Sequence, residues 1–381
     1  MHIAWIGKKS PFCGNVTYSR EVTNALHRKH QVSFLHFAQE ASESDNWENF
    51  QEVSLPFLYK SQVYTIPTLK ATKVLTDSLR EIKPDIVHAS LSLSPLDFML
   101  PEICEQLKLP LIATFHTAFA GKGAKFISGT QMLAYQLYAP CLANYDRVIV
   151  FSQIQRELLA SLGVKEKKIV VIPNGVDTTK FSPGDSKIKE EFKAERLFVY
   201  QGRIAPEKNV ESLLRAWKQS QMRSGSKLLI VGDGSLKSSL EPFYGSESGV
   251  IWLGFVAEEQ RRIDILRGAD VFILPSLVEG LSLSLLEAMA CGIACLATDV
   301  GADGEVLEAG AGVVLKTKTV RSQLRTLLPL FQDHPELTAL LGLKARQRVL
   351  DRYTLSKNII QLEELYKEVL AQWPVTLSPK V

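Results

Sequence analysis

The sequence predicts an α/β protein built from two doubly wound parallel-sheet domains, and three observations carry that expectation. The chain has 381 residues, more than one ordinary core accommodates. Short, continuously apolar runs alternate with longer helical patterns, as in parallel sheets covered on both faces. The runs also fall into two groups. Between them, 173–196 holds "PNGVD", "SPGDS" and a charged run with little apolar periodicity, the composition of an interdomain connection.

Taken in order, "HIAWIG" reads as a strand, 16–29 as a helix and "QVSFLHF" as a strand. The strands "DIVHAS", "LIATFH", "RVIVFS" and "KIVVIPNG" follow. The second series is "RLFVYQG", "KLLIVGDG", "VIWLGF", "DVFILPS", "IACLATDV" and "AGVVLKT". In doubly wound sheets ligands bind beyond the carboxyl ends of the strands, so polar residues just after these runs are the site candidates.

Composition narrows the function. Apolar content of 46% and charged content of 22% describe a folded globular chain, and a net charge of +3 gives no footprint for nucleic acid. The five cysteines are odd in number and form no C-x-x-C, which argues against a disulfide framework or zinc site and fits a reducing compartment. The apolar run in "MHIAWIGKK" is too short for a signal peptide, and no apolar stretch approaches the roughly 20 residues of a spanning helix. The expected location is cytoplasmic, with attachment to a membrane surface open. Neither half holds G-x-G-x-x-G or a Walker A motif, and there is no D-x-D to bring a metal to a diphosphate.

The stretch "EGLSLSLLE" places Glu279 and Glu287 around a strand-to-helix turn. "DVFILPS" ends at Ser276, and the apolar period from Leu283 predicts a helix, with Gly280, Leu281 and Ser282 at the turn. A helix start offers backbone N–H groups and partial positive charge to an anion. Carboxylates on either side suit a ligand with hydroxyls at both ends of a diphosphate, such as a nucleotide-sugar. Ser284-x-x-Glu287 equally fits a capping box, in which Glu287 only ties down the helix start. In "QGRIAPEKN", Arg203 and Lys208 follow another strand; two cations there can hold a diphosphate and stabilise its departure, although such residues are also common as surface charges.

"IPNGVD", "GRIAPEKN", "VGDG", "WLGF" and "ADVFILPSLVEGLSLSLLEAMACG", in that order, resemble the retaining family 4 glycosyltransferases of GT-B architecture. The likeness covers most of the chain and is densest over 172–299. It implies two Rossmann-like domains facing a cleft: an acceptor-binding domain over 1–177 and a nucleotide-sugar-binding domain over 178–355. A C-terminal segment, 356–381, carries a helix that crosses back to the first domain. It implies that Arg203 and Lys208 hold the donor diphosphate, Glu287 binds the ribose and Glu279 contacts the transferred sugar. The backbone from Gly280 to Leu283 approaches the sugar or phosphate, and Asn174 and Gly175 lie at the hinge. A nucleotide-sugar is then a substrate, and neither cofactor nor metal is expected.

In the first half, Gly14 of "FCGNVTYSREV" stands where similar enzymes often have two glycines for close approach to the donor phosphate; an ordinary tight turn is the other reading. His116 in "TFHT" occupies a motif that in those enzymes lies near sugar and acceptor, although an isolated strand-end histidine is usually structural; His88 in "DIVHAS" is a weaker candidate that reads rather as a packed histidine. No acidic residue occurs between Glu105 and Asp146, a segment with Lys108, Lys122, Lys125 and Phe126 among several aromatics. That pattern suits an anionic membrane surface, or else a core helix with solvated loop lysines. "ATFHTAF" resembles lipid-acceptor members of the family. The opening "IAWIGKKSPFCGNVTYSREVTNAL" resembles digalactosyldiacylglycerol synthases.

The expected function is metal-independent, retaining transfer of galactose or glucose from a UDP-sugar to a membrane glycolipid such as monogalactosyldiacylglycerol. The alternatives are a polysaccharide or soluble acceptor, a sugar-nucleotide epimerase of the same architecture, and a nonenzymatic sugar-nucleotide- or lipid-binding subunit.

Overall fold

The computed structural model describes residues 1–10, 13–37, 47–48, 50–61, 64–118 and 129–373. The chain separates into two compact units: residues 1–117, 130–173 and 357–381 form the first, and 118–129 with 174–356 form the second.

Unit 1 is built on seven parallel strands: β1 (His2–Gly7), β2 (Gln31–His36), β3 (Gln51–Ser54), β6 (Ile86–Ser90), β7 (Leu111–Thr114), β8 (Arg147–Val150) and β9 (Ile169–Val171). Their order is β3-β2-β1-β6-β7-β8-β9. β1 is an interior strand, with Ile3 in register with Val32 on one side and Ile86 on the other. It has no solvated face, so Ile3, Ala4 and Trp5 are fully buried and no polar alternation occurs. A separate antiparallel hairpin joins β4 (Phe57–Lys60) and β5 (Thr65–Pro67). The helices are α1 (Gly14–His27), α2 (Ala71–Ile82), α3 (Leu100–Leu107), α4 (Gly129–Leu142) and α5 (Gln153–Ser161).

Unit 2 has α6 (Ile188–Glu191), β10 (Arg196–Gln201), α7 (Val210–Gln219), β11 (Ser226–Val231), α8 (Lys237–Leu240) and β12 (Val250–Gly254). It continues with α9 (Glu259–Gly268), β13 (Val271–Leu274), α10 (Leu283–Ala290), β14 (Ala294–Thr298), α11 (Asp303–Val306), β15 (Val313–Leu315), α12 (Val320–Asp333) and α13 (Pro335–Arg352). The sheet order is β12-β11-β10-β13-β14-β15, all parallel. This is the doubly wound order that runs outward from the first strand and then resumes on its other side.

The final helix, α14 (Leu355–Gln372), packs largely within unit 1, where Arg147 donates to Glu368 at 2.7 Å and Tyr366 is fully buried. Just before it, Leu355 N–H donates to the Val176 carbonyl at 2.9 Å and Val176 N–H donates to that of Tyr353 at 2.9 Å. Gly175 lies at this crossing: a Cβ there would sit 2.7 Å from the Leu355 Cα, so only glycine lets the two segments pass this closely. Among the described residues no helix is long and apolar enough to cross a membrane.

Candidate functional site

In unit 2 the strand order reverses between β10 and β13, neighbours whose following loops diverge at the carboxyl edge of the sheet. The loop after β10 carries Arg203 and Lys208; the loop after β13 carries Glu279 to Ser282. Backbone and side-chain bonds stitch these loops together. Leu277 N–H donates to the Glu207 carbonyl at 2.8 Å, and Asn209 Nδ2 donates to that of Pro275 at 3.1 Å. Asn209 is left-handed (φ 52°), a conformation that asparagine tolerates, and it turns the chain directly after Lys208.

Lys208 Nζ donates to Glu279 Oε1 at 2.6 Å, and Ser276 Oγ donates to the same oxygen at 2.7 Å. The Lys208 and Glu279 side chains are 19% and 9% exposed, so this pair is shielded from bulk screening yet still open to a ligand. Arg203, about one third exposed, pairs with Glu207. Its carbonyl accepts from Tyr200 Oη at 2.6 Å, which fixes the backbone that carries it. The loop after β11 supports it from beneath. Gly232 has φ 139°, and a Cβ there would fall 1.9 Å from the Gly202 carbonyl oxygen. Ile204 N–H donates to the Asp233 carbonyl at 2.9 Å.

Helix α10 begins at Leu283. Ser282 caps it, its hydroxyl accepting from Leu285 N–H at 3.3 Å. The capping box that the sequence left open at Ser284 and Glu287 therefore does not form: the cap lies two residues earlier. Glu287 instead accepts from Gln201 Nε2 at 3.0 Å, with Gln201 Oε1 buried and unpartnered. Three more groups hold the turn. Asn174 Nδ2 donates to the Leu281 carbonyl at 3.0 Å, Ala302 N–H to that of Gly280 at 2.7 Å, and Ser282 N–H to Asp303 Oδ1 at 2.9 Å. Asp303 is fully buried and its Oδ2 has no hydrogen-bond partner. Burial, reinforced by the charge of Glu279, pushes its carboxyl well above the usual range.

The fold thus gathers Arg203, Lys208, Glu279, the 280–283 turn and Glu287 around one switch point. Sequence reasoning missed Gln201, Ser276 and Asp303, and it placed Asn174 only at the hinge. A strand-end position marks Gln201 and Ser276, and the loop after "IACLATDV" marks Asp303. Chemically, the cluster offers two cations, a helix start for an anion, and carboxylates at two depths for hydroxyls.

In unit 1, Gly14 is the first residue of α1 rather than part of the turn before it. Among the described residues a Cβ there would meet nothing within 4 Å, so nothing in them makes this glycine necessary for a tight turn. His116 follows β7, its Nε2 2.8 Å from Ser90 Oγ, which donates to Asn15 Oδ1 at 2.8 Å. Burial, with Lys8 nearby, pushes its pKa down to about 3. His88 is a packed histidine. It is fully buried, with its ring nitrogens 2.5 Å from Tyr366 Oη and 2.7 Å from Thr114 Oγ1 and its ring stacked on Trp5. Lys122, Lys125 and Phe126 lie outside the described residues.

Two parallel-sheet units with motifs at a switch point define the GT-B class. Solved structures of the same fold include sucrose-phosphate synthase from Thermosynechococcus elongatus, with a TM-score of 0.76, 20% identity and 97% of this chain matched to 99% of that one. Anabaena HepE in complex with UDP and glucose gives a TM-score of 0.78 at 17% identity, 96% of this chain matching 99% of that one. The family model "Glycosyltransferase Family 4" matches residues 13–180 and "Glycosyl transferases group 1" matches 182–348. The chain belongs to the family 4 glycosyltransferases.

Among relatives, the chain is 28% identical to UDP-Gal:alpha-D-GlcNAc-diphosphoundecaprenol alpha-1,3-galactosyltransferase of Escherichia coli, over 60% of each chain. It is 26% identical to alpha-monoglucosyldiacylglycerol synthase of Streptococcus pneumoniae, over 74% of this chain and 67% of that one. With N-acetyl-alpha-D-glucosaminyl L-malate synthase of Bacillus anthracis it shares 27% over 54% and 55%. The matched region spans about 60% of the length of the galactosyltransferase.

Proposed function

We propose that the protein is a retaining, metal-independent hexosyltransferase that moves galactose or glucose from a UDP-sugar to a membrane glycolipid such as monogalactosyldiacylglycerol. The observation that carries this reading is the shielded Lys208–Glu279 pair, at 2.6 Å beside Arg203 and the start of α10. A diphosphate leaving group needs charge stabilisation aimed at the oxygen on which charge develops, and preorganised cations with a helix terminus supply it. In this reading Arg203 and Lys208 hold the diphosphate. Glu287, aligned by Gln201, takes the ribose hydroxyls. Glu279 and the Gly280–Leu281–Ser282–Leu283 backbone take the sugar.

From unit 1, Gly14 gives its open side to the donor phosphate, and His116 serves sugar and acceptor as a neutral hydrogen-bonding group. Lys122, Lys125 and Phe126 are assigned to membrane contact by their residue types. The departing phosphate takes the proton of the acceptor hydroxyl on the face it leaves. The chain divides for this purpose into an acceptor domain (1–177), a donor domain (178–355) and a returning segment (356–381), with 174–175 as hinge. The protein works at the cytoplasmic face of the membrane. The galactosyltransferase and the monoglucosyldiacylglycerol synthase among its relatives support the UDP-sugar and glycolipid choices; the N-acetyl-glucosaminyl malate synthase keeps a soluble acceptor as the competing reading.

The test is incubation with radiolabelled UDP-galactose and UDP-glucose, each with galactolipid, glucolipid and soluble acceptors. Label is expected in lipid. Transfer to a soluble glycan alone rejects the lipid acceptor, and conversion of the donor without any acceptor supports an epimerase.

A further inference from the structure

The hairpin of unit 1 has its amphipathicity inverted. A strand pair lying on a domain normally turns apolar side chains inward and polar ones outward. Here Lys60 and Thr65 form the inward cross-strand pair. Thr65 is fully buried, and Lys60 Nζ donates to Ser10 Oγ at 2.7 Å and to the Phe37 carbonyl at 2.9 Å. The next pair, Tyr59 and Ile66, is 50% and 40% exposed, and Leu58, in the irregularity between Phe57 and Tyr59, is 75% exposed. Tyr64 stacks near Tyr59 with ring centroids 5.5 Å apart. Leu69 follows the hairpin, wholly exposed, and the Thr68 N–H bonded to the Pro56 carbonyl at 3.1 Å ties this turn to the hairpin base.

Scattered exposed apolar residues need no explanation, but a contiguous group on one small element does. Its charge says what covers it. No acidic residue occurs between Glu52 and Asp77, and Glu52 itself is neutralised by Lys9 at 2.6 Å. Lys70 and Lys73 are exposed beside Leu69 at the start of α2. Exposed leucines, tyrosines beside them and lysines behind, without acids, match an anionic bilayer, whose interface takes tyrosine rings and whose surface potential attracts lysine. A protein partner with no net charge would have no use for the acid-free margin.

We propose that the outer face of the β4–β5 hairpin, with Leu58, Tyr59, Tyr64, Ile66 and Leu69 backed by Lys70 and Lys73, docks on an anionic lipid bilayer. This deepens the glycolipid-acceptor reading and rests on it for its purpose, since an enzyme acting on a membrane lipid must meet its acceptor at that surface.

The experiment is co-sedimentation of the full chain with vesicles of equal parts phosphatidylcholine and phosphatidylglycerol, and with phosphatidylcholine alone. The variants are Leu58→Ser with Leu69→Ser, and Lys70→Glu with Lys73→Glu, all at exposed positions, with melting curves to verify folding. UDP affinity is measured on each by calorimetry. The leucine variant is expected to bind anionic vesicles at least about tenfold more weakly. The lysine variant should lose about fivefold or more per residue and its preference for phosphatidylglycerol. UDP affinity should stay unchanged in both.

Vesicle binding equal to the parent in both variants overturns the proposal. So does a parent chain that self-associates through this face and becomes monomeric in the leucine variant. A parent that binds UDP but no vesicles sinks the docking surface and leaves the donor site standing. Hairpin-dependent vesicle binding without UDP affinity does the reverse.

Discussion

The Lys208–Glu279 pair makes a prediction that separates a binding site from a structural strut. If Lys208 holds the donor diphosphate, a phosphate oxygen about 4 Å from Nζ gains about 4 kcal/mol at an effective dielectric near 20. With Lys208 19% exposed, screening reduces that figure. A retained gain of about 2 kcal/mol corresponds to roughly thirtyfold in affinity. Lys208→Met should therefore weaken UDP about thirtyfold by calorimetry and lower turnover by about a hundredfold or more, because charge on the leaving group peaks in the transition state. Glu279 lies 2.6 Å from the ammonium and partly neutralises it for any anion. Glu279→Gln should thus leave UDP bound as tightly or up to about tenfold more tightly. The same change should weaken UDP-sugar relative to UDP, because a carboxylate bond to a sugar hydroxyl is worth about 1.5–3 kcal/mol. Both variants should melt lower than the parent, and the double variant should recover part of that loss, since it no longer leaves a half-buried charge unpaired. If Glu279→Gln costs UDP as much affinity as Lys208→Met does, the pair merely holds two loops together and the donor assignment fails.

Glu287→Ala should weaken UDP and UMP about tenfold or more and leave inorganic pyrophosphate unaffected, because the lost bonds are those to ribose; an equal loss for pyrophosphate removes Glu287 from that role. Asp303→Asn should preserve the acceptor for Ser282 N–H, whereas Asp303→Ala should cost about 1–3 kcal/mol in chemical denaturation. The folded pKa of Asp303 is raised, so its contribution is complete below the ordinary carboxyl value of 3.8 and is lost as pH rises toward the folded value. Asp303→Asn should accordingly flatten the fall in melting temperature on that side. His88 and His116 behave oppositely: burial lowers each from 6.5 to about 3. Their stabilisation is complete above 6.5 and lost as pH falls toward 3, so His88→Gln should shrink the acid limb of the melting profile. A pH–rate profile should show no ionisation of His116 near 6.5, and a limb there that vanishes in His116→Gln contradicts its neutral role.

Every sheet strand but β3 was legible, because a strand covered on both faces must be apolar along its whole length, as "HIAWIG", "RLFVYQG" and "DVFILPS" are; β3, "QEVS" at the sheet edge, is mostly exposed and has no such run. The start of α10 at Leu283 was legible from its apolar period. The partners were not. Whether Glu287 caps a helix or meets Gln201 depends on how β10 and α10 lie across 86 residues of sequence, and Ser282 took the cap because its backbone is extended there. Asp303 was unreadable for the same reason: its carboxyl acts through a turn 21 residues upstream. The β4–β5 hairpin escaped for a different one. Its strands are three and four residues long and its exposed positions are the apolar ones, so the alternation that marks an ordinary hairpin points the wrong way.

What topology adds to the motifs is convergence. With β10 and β13 adjacent but their loops turning to opposite faces, whatever follows those two strands must meet at the carboxyl edge, and "GRIAPEK" and "EGLS" follow them. The bonds found there show that neither cation waits unmatched: Arg203 is held by Glu207, and Lys208 by Glu279. A diphosphate arriving at such a site exchanges carboxylate partners rather than filling a field of bare positive charge. The gain at Lys208 is reduced accordingly, and the helix start and hydroxyl contacts on either side, both of short range, add to it. Affinity for the whole nucleotide-sugar should therefore exceed that for pyrophosphate far more than charge alone would give, which is how a site selects a donor over the abundant free phosphates that carry the same charge.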